Sequence, residues 1–198
     1  SIRSLLYPTS SPNLIFAGTH RRGIYKSSTG VGGAWTQVNS ADVIFSSIRN
    51  DVVNPNILYA SGNEPEASTE LGAYVSTDGG SVWSRRLSFP VVEVVPHPST
   101  SGVAVAVTAD VFSTTDSFAT TSNSLGLATF APGERFFSAA FIPGTSTVLV
   151  GSAGAKLYKT TNFNASGAGV NWQSVSVPTS AVRISNIVVV NAQTWYLV

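Results

Sequence analysis

The sequence predicts an all-β chain made of repeats of four short strands, with four repeats complete and a fifth begun. One apolar motif recurs five times along the 198 residues. Its copies are centred on Phe16, Tyr59, Val105, Val150 and Tyr196, which lie 43, 46, 45 and 46 residues apart. A period of roughly 40–50 residues built only from short strands is typical of a β-propeller, in which each repeat forms one four-stranded blade. The expected fold is therefore a β-propeller-type repeat that forms part of a larger propeller.

Turn signals divide each repeat into strands. A proline-containing turn follows the first strand of each complete repeat, at Pro12-Asn13, Pro55-Asn56, Pro96-His97-Pro98 and Pro143-Gly144. No window has a sustained helical period, and β-branched residues dominate the apolar runs. The predicted single domain, 1–198, comprises blades over about 1–40, 41–89, 90–133 and 134–181, and a partial blade over 182–198.

Two of the predicted first strands are long, and one outer strand is ill-defined. The first strand of the second repeat is expected over residues 45–53, and that of the fifth repeat over residues 182–190. The outer strand of the third repeat is the least defined, and we expect it near residues 124–130.

The composition favours a neutral, polar surface. Charged residues make up 11% of the chain and the formal net charge is +1, so the basic footprint of a nucleic-acid-binding protein is missing. Surfaces rich in Ser, Thr and Asn are common in secreted and particle-surface β proteins, and we expect an extracellular or particle-surface location. No apolar run approaches the ~20 residues that a membrane helix needs. We expect no membrane insertion, no cofactor and no bound metal.

The most specific local motif is the segment Ser-Thr-Asp-Gly-Gly-Ser-Val-Trp over residues 76–83. It matches the Asp-box, Ser-x-Asp-x-Gly-x-x-Trp, and the chain resembles the sortilin, xyloglucanase and sialidase group of Asp-box (BNR-type) propellers over nearly its whole length. Degenerate copies follow the third strands of the other repeats, at Ser27-Ser28-Thr29-Gly30, Thr114-Thr115-Asp116 and Thr160-Thr161-Asn162.

The resemblance implies a structural role for Ser76, Asp78, Gly80 and Trp83. In an Asp-box the carboxylate accepts backbone N–H bonds within a turn, and the glycines adopt conformations that other residues avoid. The tryptophan packs under the loop. The box lies on the periphery of the blade in this group, so it indicates architecture and not an active site.

The residues that the resemblance would require for catalysis are replaced in this chain. In the xyloglucanase branch a catalytic acid lies in a Thr-Asp-x-Gly-Gly segment after the second strand of the first blade, and in this sequence His20 occupies that position. A sialidase needs an arginine triad. Arg135 and Arg183 lie at the starts of first strands, but Arg183-Ile184 is followed by Ser185 and not by proline. We therefore expect no catalytic residue.

Two groups of residues are candidate ligand contacts. His20, Arg21 and Arg22 could bind an anion or a glycan, although a plain basic loop explains them more simply. Glu64 and Glu66 lie in the longest loop between a second and a third strand, residues 62–71, where a ligand could meet them. The alternative is a solvated acidic loop. Glu93, alone on an apolar first strand, is more typical of a hydrogen-bonded structural residue.

Three functional hypotheses remain open on the sequence alone. The first is a non-catalytic structural or interaction module that binds protein or glycan through a propeller face. The second is a fragment of a larger, xyloglucanase-like glycoside hydrolase whose catalytic acids lie elsewhere. The third is a sortilin-like or assembly-factor-like propeller that binds peptides.

The last strand predicts a partner. Residues 194–198 form an apolar edge in a repeat of only two strands. Because exposed apolar edge strands pair readily, we expect a protein partner or further residues to complete the fifth blade and to cover Trp195 and Tyr196.

Overall fold

Four antiparallel sheets of four strands follow one another along the chain, and a two-stranded sheet follows them. The computed structural model describes residues 1–8, 11–177 and 183–198. Within each four-stranded sheet the spatial order of the strands is the order of the sequence. The predicted fold, with four complete blades and a partial fifth, is confirmed.

The strands are short, spanning two to six residues each. The first two sheets comprise β1 (Ile2–Leu6), β2 (Ile15–Thr19), β3 (Ile24–Ser27), β4 (Thr36–Asn39), β5 (Phe45–Asn50), β6 (Leu58–Gly62), β7 (Gly72–Ser76) and β8 (Ser84–Leu87). The remaining elements are β9 (Glu93–Pro96), β10 (Ala104–Val107), β11 (Val111–Thr114), β12 (Asn123–Ser124), helix α1 (Leu127–Phe130), β13 (Phe136–Phe141), β14 (Val148–Ser152), β15 (Leu157–Thr160), a 3₁₀ turn (Gly167–Gly169), β16 (Gln173–Val175), β17 (Ile187–Asn191) and β18 (Thr194–Leu197).

Neighbouring sheets pack through their first strands. Strand β1 contacts β5, β5 contacts β9, β9 contacts β13, and β13 contacts β17. The second strands β6, β10 and β14 are buried along their entire length. A sheet covered on both faces requires continuous apolar strands in place of alternating ones, which explains why the recurring motif in the sequence is apolar at successive positions.

A serine hydroxyl ties three of the first strands to the next sheet. In each case Oγ donates to a backbone carbonyl of the following sheet, over distances of 2.8, 2.8 and 3.3 Å: Ser4 to Phe45, Ser46 to Val92, and Ser138 to Ile184. These bonds satisfy polar backbone groups at the seams between sheets, where an unpaired carbonyl would be costly.

Glu93 connects three sheets at the equivalent place on β9. Its carboxylate forms an ion pair with Arg49 of β5, whose Nε lies 3.0 Å from Oε1. Its other oxygen accepts the backbone N–H of Ala139 on β13 at 3.4 Å. The side chain is therefore part of the seam between sheets, in line with the structural interpretation of its sequence position.

The third sheet departs from the sequence-based expectation. Its outer strand β12 covers only two residues, and the expected strand near residues 124–130 is wrong beyond Ser124, because residues 127–130 form the single helical turn α1. Gly126, at φ 68°, turns the chain before α1. Asp110 then holds the turn, accepting the Ser124 hydroxyl at 2.5 Å and the Ala128 N–H at 3.0 Å.

Two other strand limits also differ. Strand β5 ends at Asn50, because Asp51 accepts the N–H groups of Val53 and Asn54 and so closes a turn where strand was expected to residue 53. Strand β17 begins at Ile187, and residue 182, the expected start, lies outside the described residues. Neither of the two short helices in the described ranges is long or apolar enough to cross a membrane.

Candidate functional site

A groove of about 640 Å³ crosses the second, third and fourth sheets. It lies at the end of the sheets where second strands connect to third strands and where each fourth strand leads into the next sheet. Residues 63–66 form one wall, and residues 134–137 form the opposite wall. The floor between them consists of Pro90, Val92, Thr108 and Ala109.

The two walls of the groove carry opposite charges. Glu64 and Glu66 are exposed on the first wall, and neither carboxylate belongs to the ion pairs found among the described residues. Arg135 is exposed on the opposite wall and is likewise absent from those ion pairs. Beside it, the Arg183 guanidinium lies 5.0 Å from the ring centroid of Phe137, a cation–π contact that extends the basic wall.

Glu134, next to Arg135, is occupied within its own sheet. Its carboxylate is paired with Lys156 and accepts the Gly154 N–H at 3.3 Å. The hydrogen bond from Lys156 lowers the pKa of Glu134, and the same bond raises the pKa of Lys156. The free charges of the groove are therefore acidic on the wall of the second sheet and basic on the wall of the fourth.

An apolar side pocket of about 320 Å³ opens from the floor of the groove and shares Pro90, Thr108 and Ala109 with it. Phe89 and Phe112 line the side pocket with their rings 5.0 Å apart, and both are half-buried. Apolar pockets with a few charged groups at the rim are typical of ligand sites in proteins.

The structure does not bring the two predicted groups of candidate residues into one site. Arg21 is committed to Asp42 through two hydrogen bonds, Nε at 2.9 Å and Nη2 at 2.7 Å. This pairing raises the pKa of Arg21 and lowers that of Asp42. Arg22 is exposed and contributes its carbonyl oxygen to Gln37. His20 forms an isolated β-bridge with Ile44 of the next sheet.

The basic loop nevertheless adjoins the acidic wall of the groove. Ile44, the bridge partner of His20, donates its N–H to the Glu64 carbonyl at 2.8 Å. His20, Arg21 and Arg22 do not line the groove, whereas Glu64 and Glu66 do. The basic loop is therefore joined to the acidic wall through Ile44 and lies outside the groove.

The turn over residues 76–83 lies at the opposite end of the second sheet, between its third and fourth strands. Asp78 Oδ1 accepts the N–H groups of Ser81 and Val82, each at 3.0 Å, and the Ser76 hydroxyl at 2.7 Å. These bonds, first that from Val82, lower the pKa of Asp78. Trp83 is buried and meets Phe16 of the preceding sheet edge-on, with ring centroids 6.3 Å apart.

The corresponding turns of the third and fourth sheets have related bonds. Burial by itself would raise the pKa of Asp116, but hydrogen bonds from Thr120 and Thr121 outweigh burial and hold the pKa well below its usual range. In the fourth sheet, Asn162 Oδ1 accepts the Asn171 N–H at 2.8 Å, and Trp172 Nε1 donates to Leu125 O of the preceding sheet at 2.8 Å.

The carboxyl groups with a shifted pKa lie in turns and in ion pairs. A catalytic acid normally has a raised pKa. The carboxyl groups whose pKa moves in the described residues are those of Asp42, Asp78, Asp116 and Glu134, and each moves downward. Within the same residues, no cluster of three or more His, Cys, Asp or Glu side chains is arranged to hold a metal ion.

Sequence reasoning identified one wall of the groove and missed its other parts. Phe89 lies in the connection between β8 and β9, Phe112 lies on β11, and neither carries a local motif. Phe137 follows the apolar pattern of a first strand, so nothing in the sequence separates it from core residues. The available signal was positional, because the connections 63–71, 108–110 and 131–135 all lie at the same end of their repeats.

Comparisons with solved structures identify the fold as that of a β-propeller. An ancestral GH74 enzyme matches 96% of this chain with a TM-score of 0.76 at 19% identity, and the chain covers 28% of that enzyme. YCF48 from Cyanidioschyzon merolae matches 94% of the chain with a TM-score of 0.60 at 19% identity, with 59% of that protein covered. The GH74 xyloglucanase from Xanthomonas campestris matches 87% of the chain with a TM-score of 0.62 at 12% identity, with 29% covered.

These likenesses concern the fold. The chain spans less than two thirds of the length of each of these three structures. No protein-family model matches the chain, and no curated protein sequence matches it.

Proposed function

We propose that this chain is a non-catalytic interaction module, at a cell surface or on a particle, that binds a protein or a glycan through the groove. The proposal rests on the charges of the groove: Glu64 and Glu66 lie on one wall, and Arg135 lies on the opposite wall across a largely apolar floor. Unpaired charges that line a concave surface give binding specificity and steer an oppositely charged partner. The polar, nearly neutral remainder of the surface is consistent with an extracellular location.

We further infer that residues 76–83 are an Asp-box with a purely structural role. The Ser76 hydroxyl donates to Asp78 and accepts the N–H of Gly80. Trp83 packs on the preceding sheet. The turn and the groove lie at opposite ends of the second sheet, so partner binding does not involve the box.

The proposal is tested by blocking the groove. Ala109 is exposed on the floor, and Ala109→Trp would fill the space between the walls. The matched control is Ser84→Trp, at an exposed position on β8 away from the groove. Labelled protein is applied to a glycan array and to a peptide array. We expect the array ligands that bind the unaltered chain to bind Ser84→Trp as well, but not Ala109→Trp. Retention by both variants would contradict a site in the groove.

A second candidate is a fragment of a glycoside hydrolase, and the likeness to GH74 enzymes favours it. Inverting glycosidases use two carboxyl groups about 6.5–9.5 Å apart, one of them with a raised pKa. Since His20 occupies the expected acid position, we expect the chain to release no sugar from xyloglucan, mixed β-glucans or sialyl-lactose. Turnover that disappears in Glu64→Gln or Glu93→Gln would establish a catalytic role instead.

We also propose that strand β18 pairs with a further strand, from a protein partner or from additional chain. Tyr196 and Val198 are 61% and 67% exposed, and the sheet of β17 and β18 has two strands where the others have four. Trp195 and Leu197 differ from the expectation of a wholly exposed edge, because they pack half-buried against the cluster that includes Leu149 and Ile184.

A further inference from the structure

Resting on the proposed function, we infer that the groove takes an extended peptide segment with a basic side chain against Glu64 and Glu66, an acidic side chain against Arg135, and an apolar side chain in the side pocket. This assigns a ligand class and an orientation to the groove. Two features of the groove argue for it independently.

The first feature is the polarity of the walls. A neutral glycan would offer the two carboxylates and the guanidinium only hydroxyl groups, whereas a peptide that carries both signs of charge would form ion pairs with each wall. A polyanion such as nucleic acid would be repelled by Glu64 and Glu66. The order of charges along the ligand is therefore fixed by the walls, with the second sheet taking the basic end and the fourth sheet taking the acidic end.

The second feature is the side pocket. It is lined almost wholly by apolar atoms and contains the Phe89 and Phe112 rings. Asp110 at its rim is engaged, because its two oxygens already accept the Ser124 hydroxyl and the Ala128 N–H. Binding interfaces commonly depend on one apolar anchor in such a pocket, surrounded by polar contacts.

The experiment begins with phage-displayed random nonapeptides selected on the immobilised 198-residue chain. Selected peptides are synthesised with a fluorophore, and their affinities are measured for the unaltered chain, for the double variant Glu64→Lys and Glu66→Lys, and for Arg135→Glu. Arg86→Glu is the charge control, since Arg86 is exposed on β8 outside the groove. Circular dichroism confirms that each variant is folded.

We expect selected peptides to share an apolar residue flanked by a basic and an acidic residue. Each reversal of groove charge should weaken binding by about tenfold or more, with a marked dependence on salt, and Arg86→Glu should not. A peptide with its acidic residue replaced by lysine should regain affinity for Arg135→Glu.

Two results would overturn the inference in distinguishable ways. If no peptide is selected and a neutral glycan from the array binds in a manner blocked by Ala109→Trp, the peptide inference fails while the proposed function stands. If peptides are selected but Arg86→Glu weakens them as much as the groove variants do, the assigned orientation fails. If Ala109→Trp leaves binding intact, the proposed function of the groove is contradicted as well.

Discussion

At the scale of single residues, Asp51 is a buried carboxylate held by backbone hydrogen bonds. It is fully buried, yet its side chain has no cationic partner among the three ion pairs found. Instead it accepts three backbone N–H groups, from Val53, Asn54 and Gly102, each at 2.8 Å. Because Gly102 belongs to the next sheet, this carboxylate closes a turn and also joins two sheets.

Replacement of Asp51 should therefore destabilise the fold strongly. Asp51→Ala leaves three N–H donors without their acceptor, among them the buried N–H of Gly102, and we expect the free energy of unfolding to fall by about 3 kcal/mol. Urea unfolding monitored by tryptophan fluorescence measures the change. Glu66→Ala, which removes an exposed carboxylate, is the control and should leave the midpoint unchanged. Equal midpoints for the two variants would show that the Asp51 bonds are dispensable.

Asp116 provides a pH-dependent test at the same scale. Its folded-state pKa lies below the ordinary value of 3.8, so the ionised carboxylate favours the fold above that pH. This stabilisation is lost as the pH falls below 3.8 towards the lowered pKa. We expect the drop in unfolding midpoint between pH 7 and about pH 3 to be smaller in Asp116→Asn than in the unaltered chain. An identical drop would contradict a stabilising turn.

At the scale of elements, the turns at the outer ends of the sheets depend on packing as much as on backbone conformation. Gly79 and Gly80 both have positive φ, at 72° and 78°. A Cβ on Gly80 would collide with the Phe16 ring of the preceding sheet, whereas the nearest atom to a Cβ on Gly79 would be Asn56 Oδ1 at 3.6 Å. The two neighbours thus share the conformational requirement and differ in available space.

This difference gives a matched pair of variants. Gly79→Ala should cost about 1 kcal/mol, the usual penalty for a left-handed backbone conformation. Gly80→Ala also displaces the Phe16 ring. We expect this overpacking to lower the free energy of unfolding by about 1–3 kcal/mol more than Gly79→Ala does. Equilibrium unfolding of both variants tests the expectation. Equal losses would mean that contact between the sheets at Phe16 is loose.

The strands were largely predictable, and the connections were not. The second strands stand out in the sequence because burial on both faces demands continuous apolar residues, as in β10 and β14. Residues 124–130 were misjudged because their helical turn depends on Asp110, which lies in another connection. The groove was only partly predictable for a similar reason, because Phe89 and Phe112 become neighbours only when the connection after β8 packs against the third sheet.

At the scale of the whole molecule, both ends of the arc of sheets expose apolar residues. On β1, Ile2 and Leu5 are each 58% exposed, and on the last sheet Val190 is 58% exposed. Single exposed apolar residues are ordinary, but rows of them on sheet faces mark interaction surfaces. We propose that these faces, like the groove, contact a partner.

The edge of β18 gives a prediction for the assembly. If β18 pairs with another strand, the isolated 198-residue chain should associate in sedimentation, or its sheet of β17 and β18 should exchange amide hydrogens rapidly. Tyr196→Lys places a charge on the exposed face and should reduce self-association. A compact monomer with strongly protected amides in β18 would contradict the proposed pairing.

The most direct test of the groove as the binding site is a two-dimensional NMR titration of the chain with a ligand selected on it. We expect the backbone amide signals of residues 63, 64, 66, 108–109 and 134–137 to shift as the ligand is added. The amides of residues 76–83, at the opposite end of the sheets, should remain unmoved and serve as the internal control. Shifts confined to residues 76–83, or to the exposed strands at either end of the arc, would contradict binding in the groove.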